Sequence, residues 1–246
     1  LGAVVGPYAN RIAKGSYTIG DEVYAFPQNN NGQTLHGGLR GLDMVVWDVV
    51  DVNDSTIVLS YLHADGQEGM PGNLEIVMTY SLTCDNEFKV DYEARTDKAT
   101  HVNISHHSFF NLKGEGNGTI NDHILYINAS QTTPVDAVLI PTGEIADVTG
   151  TPFDFRTPKT IGQDIGADYE QLDAGNGYDH NFCINDYNKE LRLAATVTAP
   201  NGVRLDCLTD LPGMQLYVGN FLEGKIGKNN TPMDFRCGFC LETQYY

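Results

Sequence analysis

Residues 101–112, His-Val-Asn-Ile-Ser-His-His-Ser-Phe-Phe-Asn-Leu, set two adjacent imidazoles in a stretch that alternates apolar and polar side chains. Successive side chains of an extended strand point to opposite faces. Val102 and Ile104 then share a face with His106, while Asn103, Ser105 and His107 share the other, so His107 is the ring expected on the polar side. The last segment of the chain supplies a carboxylate by the same parity: Cys240, Glu242 and Gln244 fall together, opposite the more apolar Phe239, Leu241 and Thr243. A carboxylate and an imidazole facing each other across a cleft can act as general base and general acid, each typically worth about 10²–10⁴ in rate. Free imidazole has a pKa of about 6.5, so about a quarter would be protonated at neutral pH. Carboxylates nearby, Glu242 and Asp179 among them, are expected to favour the charged ring.

Further segments combine polar side chains with glycines in ways a packed core does not require. Gly6-Pro7-Tyr8-Ala9-Asn10-Arg11-Ile12 holds a cation among small residues, and Leu35-His36-Gly37-Gly38 sets a histidine before two flexible positions. Gly177-Tyr178-Asp179-His180-Asn181-Phe182 offers a second carboxylate, and Thr209-Asp210-Leu211-Pro212-Gly213-Met214-Gln215 leads into a strand. Each alone is weak, and their joint occurrence is what points to a site.

The elements that must position these residues read as strands. Alternating or apolar stretches fall at 56–62, 74–83, 87–94, 101–107, 191–199, 203–208, 215–220 and 238–245. Phe88, Val90, Tyr92 and Ala94 oppose Lys89, Asp91 and Glu93, which predicts one buried face for that strand. Pro200-Asn201-Gly202 and Cys84-Asp85-Asn86 carry turn chemistry and predict antiparallel hairpins. A helical pattern is confined to a short piece near 158–168, interrupted by Gly162 and Gly166, and 128–182 reads as long loops with short strands. The fold class is all-β. With no repeat, no linker and no shift of composition, the 246 residues read as one domain.

Composition excludes several functions. A formal charge of −17 opposes nucleic acid, anionic lipid and phosphorylated ligands, and favours a neutral small molecule. No apolar run approaches the roughly 20 residues that cross a bilayer, and no signal segment is visible at the start. The five cysteines cannot all pair within the chain, which favours a reduced, cytoplasmic location. Cys237 and Cys240 form a CxxC without the second ligand pair of a zinc site, and both read as strand residues.

Taken in order, the segments resemble the aldose 1-epimerase, or galactose mutarotase, family. The resemblance runs from residue 2 to 246 through GPYANRIAKG (6–15), LHGGLRGLD (35–43), DGQEGMPGNL (65–74), NISHHSFFNL (103–112), PTGEI (141–145), TPFDFR (151–156), GYDHNF (177–182), TDLPGMQLYVGNF (209–221) and GFCLETQ (238–244). It implies a large antiparallel β-sandwich with a sugar site in the concave face of one sheet. It assigns the general acid to His107 and the general base to Glu242, and sugar binding to Asn10, Arg11, His36, Phe109, Asp179 and Gln215. Pro7 stands where the family usually has arginine, His106 where it has asparagine, and Phe109 where tyrosine is frequent. Family members continue past both ends of this chain, so a single domain lacking the N-terminal strands and C-terminal end is expected.

The implied activity is interconversion of the α and β anomers of free aldohexoses such as glucose or galactose. That reaction needs no cofactor and no metal, and the protein is expected to be a monomer or dimer. Rival readings are a non-catalytic carbohydrate-binding module of the same fold, a glycosidase using Asp179 and Glu242, and a relative acting on hexose 6-phosphates, which the −17 charge disfavours.

Overall fold

A computed structural model describes residues 2–246 as nearly all β, with antiparallel sheets. The chain forms two compact units, one built from residues 105–246 with Gly2 and Ala3, the other from residues 4–104.

The larger unit stacks two sheets on one apolar core. The first has the strand order Ala146–Asp147, Ala129–Thr132, Asp179–Ile184, Gly213–Tyr217, Cys240–Gln244. The second runs Lys159–Thr160, Ile124–Ile127, Arg192–Thr198, Arg204–Thr209. Phe182, Ile184, Met214 and Leu216 of the first sheet share a buried cluster with Leu125, Ile127, Ala195 and Val197 of the second. Phe153, Phe155, Tyr178 and Phe239 enter the same cluster from the connections, and the Tyr178 hydroxyl donates to the Pro152 carbonyl at 2.9 Å. Burying each such side chain contributes about 1.5–3 kcal/mol. This core fixes which face of the first sheet is left for function.

The smaller unit carries a meander of Asp48–Val52, Thr56–His63, Leu74–Leu82 and Phe88–Thr96. Leu74, Ile76 and Met78 cluster with Val4, Leu42 and Ile104, while Ile12, Phe26 and Met70 form a second centre. A two-residue strand, Arg11–Ile12, pairs with Thr34–Leu35.

The predicted hairpins form: Ala199 and Val203 close the turn at 200–202, and Thr83 and Glu87 close the turn at 84–86. Five expectations are corrected. The stretch 101–107 is not one strand, because Asn103 exchanges backbone hydrogen bonds with Pro7 and Ala9, and only Ser105–His106 is a strand. Asn103 and Ser105 are buried, at 5% and 1% exposure, rather than lying on an open polar surface. The helix lies at Glu170–Gly175, after the 158–168 piece, which instead holds the strand Lys159–Thr160 followed by turns. In the Phe88–Thr96 strand only the middle of the apolar face packs: Val90 and Tyr92 meet the core, while Phe88 is exposed. Cys240 lies in a strand, but Cys237 does not. No helix among the described residues is long and apolar enough to cross a membrane.

Candidate active site

Three neighbouring strands of the larger unit build a grid of side chains on the face opposite the core. Asn181 stands opposite Gln215, and Gln215 opposite Glu242; one step along, Asp179 faces Tyr217 and Tyr217 faces Cys240; on the other side Cys183, Gly213 and Gln244 form the third row. The alternation that sends Phe182, Met214, Leu216 and Leu241 toward the core sends these residues the other way. Asn181, Gln215, Glu242 and Gln244 are nevertheless buried, at 2–5% exposure, and hydrogen bonds among neighbouring side chains satisfy several of their polar atoms, though Asn181 Nδ2 has none. Gln244 Nε2 donates to Asn181 Oδ1 at 3.0 Å and to Gln215 Oε1 at 3.4 Å, and Gln215 Nε2 donates to Asp179 Oδ1 at 2.8 Å. Gly213 leaves the room this ladder needs, because a Cβ there would stand 2.5 Å from Asn181 Oδ1.

His107 comes to the same face from the 105–112 segment, its amide held by the Ala3 carbonyl at 2.9 Å. Its Nε2 lies 3.5 Å from Glu242 Oε1, and its Nδ1 lies 3.3 Å from Cys240 Sγ. The ring stacks on Phe109, with centroids 4.9 Å apart and planes at 27°. Tyr217 meets both rings edge-on, at 6.0 Å from His107 and 5.9 Å from Phe109, and its hydroxyl accepts a hydrogen bond from the Phe221 amide. Imidazole and carboxylate thus share one sheet face, with the Phe109 and Tyr217 rings and the Gln215, Asn181 and Gln244 amides as neighbours.

Two influences oppose each other at His107. Burial pushes its pKa down to about 4, whereas the carboxylate 3.5 Å away favours the charged ring. Burial prevails, so the unliganded ring is neutral, which corrects the expectation that about a quarter of it would be charged at neutral pH. Burial, reinforced by the Glu242 and Asp179 carboxylates, raises the Cys240 thiol well above its ordinary value. That sulfur stays protonated.

The smaller unit holds the other three residues expected in the site. Asn10 and His36 grip each other: the His36 amide donates to the Asn10 carbonyl at 3.0 Å, and the Asn10 amide donates to the His36 ring Nδ1 at 3.1 Å. Both residues are in the left-handed region, at φ 61° and 53°, a conformation that costs energy without glycine and is common at functional positions. Gly37 follows because a Cβ there would stand 1.9 Å from the Gly6 carbonyl oxygen. The Arg11 guanidinium is held by Asn30 Oδ1 at 3.3 Å and Asn10 Oδ1 at 3.4 Å.

His107, Glu242, Phe109, Asp179 and Gln215 are therefore brought together within one unit, and Asn10, Arg11 and His36 within the other. Sequence reasoning did not single out Tyr217, Asn181, Cys240 or Gln244 as parts of the site. The signal was present in strand parity: Cys240 and Gln244 flank Glu242 on its own face, and Tyr217 is two residues beyond Gln215.

A sequence model of the family described as aldose 1-epimerase matches residues 1–246. Galactose mutarotase from Bos taurus is 44% identical over 246 residues, which cover 99% of this chain and 70% of the relative. Galactose mutarotase from Homo sapiens is 43% identical over 99% of this chain and 70% of its own length, and aldose 1-epimerase from Escherichia coli is 37% identical over 100% and 70%. Among solved structures, a galactose 1-epimerase from Lactobacillus acidophilus superposes with a TM-score of 0.86 at 34% identity, covering 98% of this chain and 70% of that one. A C. elegans aldose epimerase homologue superposes with a TM-score of 0.88 at 27% identity, covering 98% and 72%. By sequence along its whole length and by its antiparallel β architecture, the chain belongs to the aldose 1-epimerase family.

Proposed function

We propose that the protein is an isomerase that interconverts the α and β anomers of free aldohexoses such as galactose and glucose. The observation that carries this reading is the 3.5 Å separation of Glu242 Oε1 and His107 Nε2 on one buried wall. Ring opening removes the proton from the C1 hydroxyl and adds one to the ring oxygen. Both oxygens are bonded to C1, so base and acid have to be close neighbours at one edge of the sugar and not on opposite sides of the ring. In the proposed step Glu242 takes the hydroxyl proton, His107 delivers the Nε2 proton to the ring oxygen, and the C1–O5 bond breaks as the C1 carbonyl forms. Rotation about C1–C2 and the reverse transfers close the other anomer, leaving both groups as they began.

To act as the acid, His107 has to enter the step as the imidazolium, taking up one proton from solvent beforehand, so that delivery of the Nε2 proton leaves the neutral ring; the Glu242 carboxylate 3.5 Å away favours that charged form. Asp179 and Gln215 would take sugar hydroxyls from the same sheet, and Phe109, with no hydroxyl of its own, would pack on the apolar face of the pyranose. The roles of Asn10, Arg11 and His36 as further hydroxyl contacts rest on the family resemblance. We read residues 1–246 as one functional domain, since the family match runs continuously over them. Cytoplasmic operation is supported by five free thiols.

The test is polarimetry of freshly dissolved α-galactose and α-glucose. His107→Ala and Glu242→Gln are each expected to slow enzymatic mutarotation by about 10²–10⁴, with unfolding midpoints showing that both variants remain folded. Wild-type rates in both variants would overturn the assignment, and sugar binding without anomer exchange in the wild type would identify a non-catalytic module.

A further inference from the structure

We propose that Asn220 is a positioning residue for Asp179, its buried side-chain amide closing the turn 175–178 and so setting where the Asp179 carboxylate enters the sheet face that carries Gln215 and Glu242. The inference rests on the reading of Asp179 as a contact to the sugar. Asn220 is 4% exposed. Its Nδ2 donates to the carbonyls of Gly175 and Tyr178, each at 3.0 Å, and its Oδ1 accepts from Arg236 Nε at 3.4 Å.

A side-chain amide holds two N–H donors and one acceptor oxygen in a single plane. Here the two donors bridge carbonyls three residues apart, across a stretch that belongs to no regular element. The helix Glu170–Gly175 has ended at Asn176, which is left-handed at φ 53°, and the strand begins only at Asp179. The reverse orientation of the amide would set its oxygen against two carbonyl oxygens and its nitrogen against a guanidinium, so one orientation remains. Gly177 lies close against the amide: a Cβ there would stand 2.7 Å from Asn220 Oδ1, and its φ of 125° is one that side-chain-bearing residues rarely adopt. The Val218 amide also reaches the Tyr178 carbonyl, but at 3.3 Å. Asp179, the next residue, accepts from Gln215 Nε2 at 2.8 Å. The carboxylate is therefore held at its tip by Gln215 and through its backbone by Asn220. Without the two donors, buried carbonyls lose partners that water does not reach to replace, and the turn shifts, carrying Asp179 with it.

The experiment combines hydrogen exchange of the sugar-free protein with kcat and KM for galactose by polarimetry, on the full chain. Asn220→Asp keeps the shape and replaces both donors by oxygen. It is expected to raise KM roughly tenfold, the loss of one or two modest hydrogen bonds, with kcat little changed. Exchange of the Gly177 amide, which donates to the Leu172 carbonyl at 2.8 Å, is expected to accelerate while the amides of 182–184 keep their rates. In an Asp179→Ala background the same substitution is expected to raise KM far less, because residues that act through one another are not additive. If the aspartate variant does not fold, Asn220→Ser, which keeps one donor and adds no charge, makes the same comparisons. A wild-type KM in the Asn220 variant overturns the proposal, as does an equal rise in KM with and without the Asp179 carboxylate, or a loss confined to kcat. Failure of the mutarotase reading is recorded separately, as absence of anomer exchange in the wild type. Unchanged exchange at Gly177, read without sugar, overturns the positioning role whatever the polarimetry shows.

Discussion

At the scale of single residues, the site depends on buried amides that have no water to fall back on. Gln244 donates to both Asn181 and Gln215, and Gln215 spends its own amide hydrogen on Asp179. Replacing Gln244 by leucine would strand two buried oxygens, Asn181 Oδ1 and Gln215 Oε1, and an unsatisfied buried polar group costs about 1–3 kcal/mol. Gln244→Leu is therefore expected to lower stability by a few kcal/mol in a urea titration. It is also expected to raise KM more than it lowers kcat, since the ladder orients Gln215 and Asp179, and neither is assigned a proton transfer. A KM equal to wild type would show that the ladder does not hold those two side chains in register. Parity in the sequence points to His107 and Glu242, but the 101–107 strand it assumes for His107 does not form, and the roles of both rest on the family resemblance. The protonation of the imidazole was not legible, because depth of burial is a property of the folded unit and leaves no mark on the local sequence.

At the scale of elements, the loop 209–213 that launches the Gly213–Tyr217 strand is tied down by one side chain. Arg192 donates to the carbonyls of Asn185, Thr209 and Leu211 at 2.9, 3.3 and 2.9 Å, and to that of Ile184 at 3.4 Å. A planar guanidinium can serve four acceptors at fixed angles, and an ammonium cannot. Arg192→Lys is expected to cost about 1–3 kcal/mol in denaturant unfolding, with exchange of the Leu211 and Gly213 amides accelerating before the rest of the sheet. Uniform acceleration across the sheet would mean that the arginine supports the whole unit and not this loop. The same strands show what sequence patterning could and could not reveal. Thr56–His63, Leu74–Leu82 and Arg204–Thr209 were read near their observed bounds, since part of each alternates and tight turns separate several of them. Asp179–Ile184 begins inside the interval 128–182 that reads as long loops with short strands, yet it is the middle strand of the five. Five of its six residues are buried, as are all five of Gly213–Tyr217. A strand covered on both sides, with amides on one of them, shows neither alternation nor an apolar run, and so offers the two-period test nothing to detect.

At the scale of the whole molecule, buried neutral histidines tie folding to pH. Burial pushes His107 and His180 down to about 4, and also lowers His63, His106 and His123. In the unfolded chain each of these rings titrates at about 6.5. Between the two values the unfolded state binds protons that the folded state refuses, so stability falls as pH drops from about 6.5 toward 4 and is regained above that window. Relief of repulsion within a chain of formal charge −17 acts in the opposite direction, but it is screened beyond about 8 Å at physiological salt. The melting temperature is therefore expected to decline steadily from pH 6.5 to 4.5. His180, packed edge-on against Phe153 at 4.8 Å, is assigned no proton transfer, and His180→Leu is expected to flatten that decline. An unchanged slope would place the acid sensitivity elsewhere. The side-by-side placement of Glu242 and His107 carries a corollary for substrate breadth. With every bond change confined to C1 and its two oxygens, the stereochemistry of the remote carbons enters only through how well the sugar is seated. Epimers and pentoses that keep a free hemiacetal would then differ in the concentration needed to fill the protein far more than in how fast they turn over once inside.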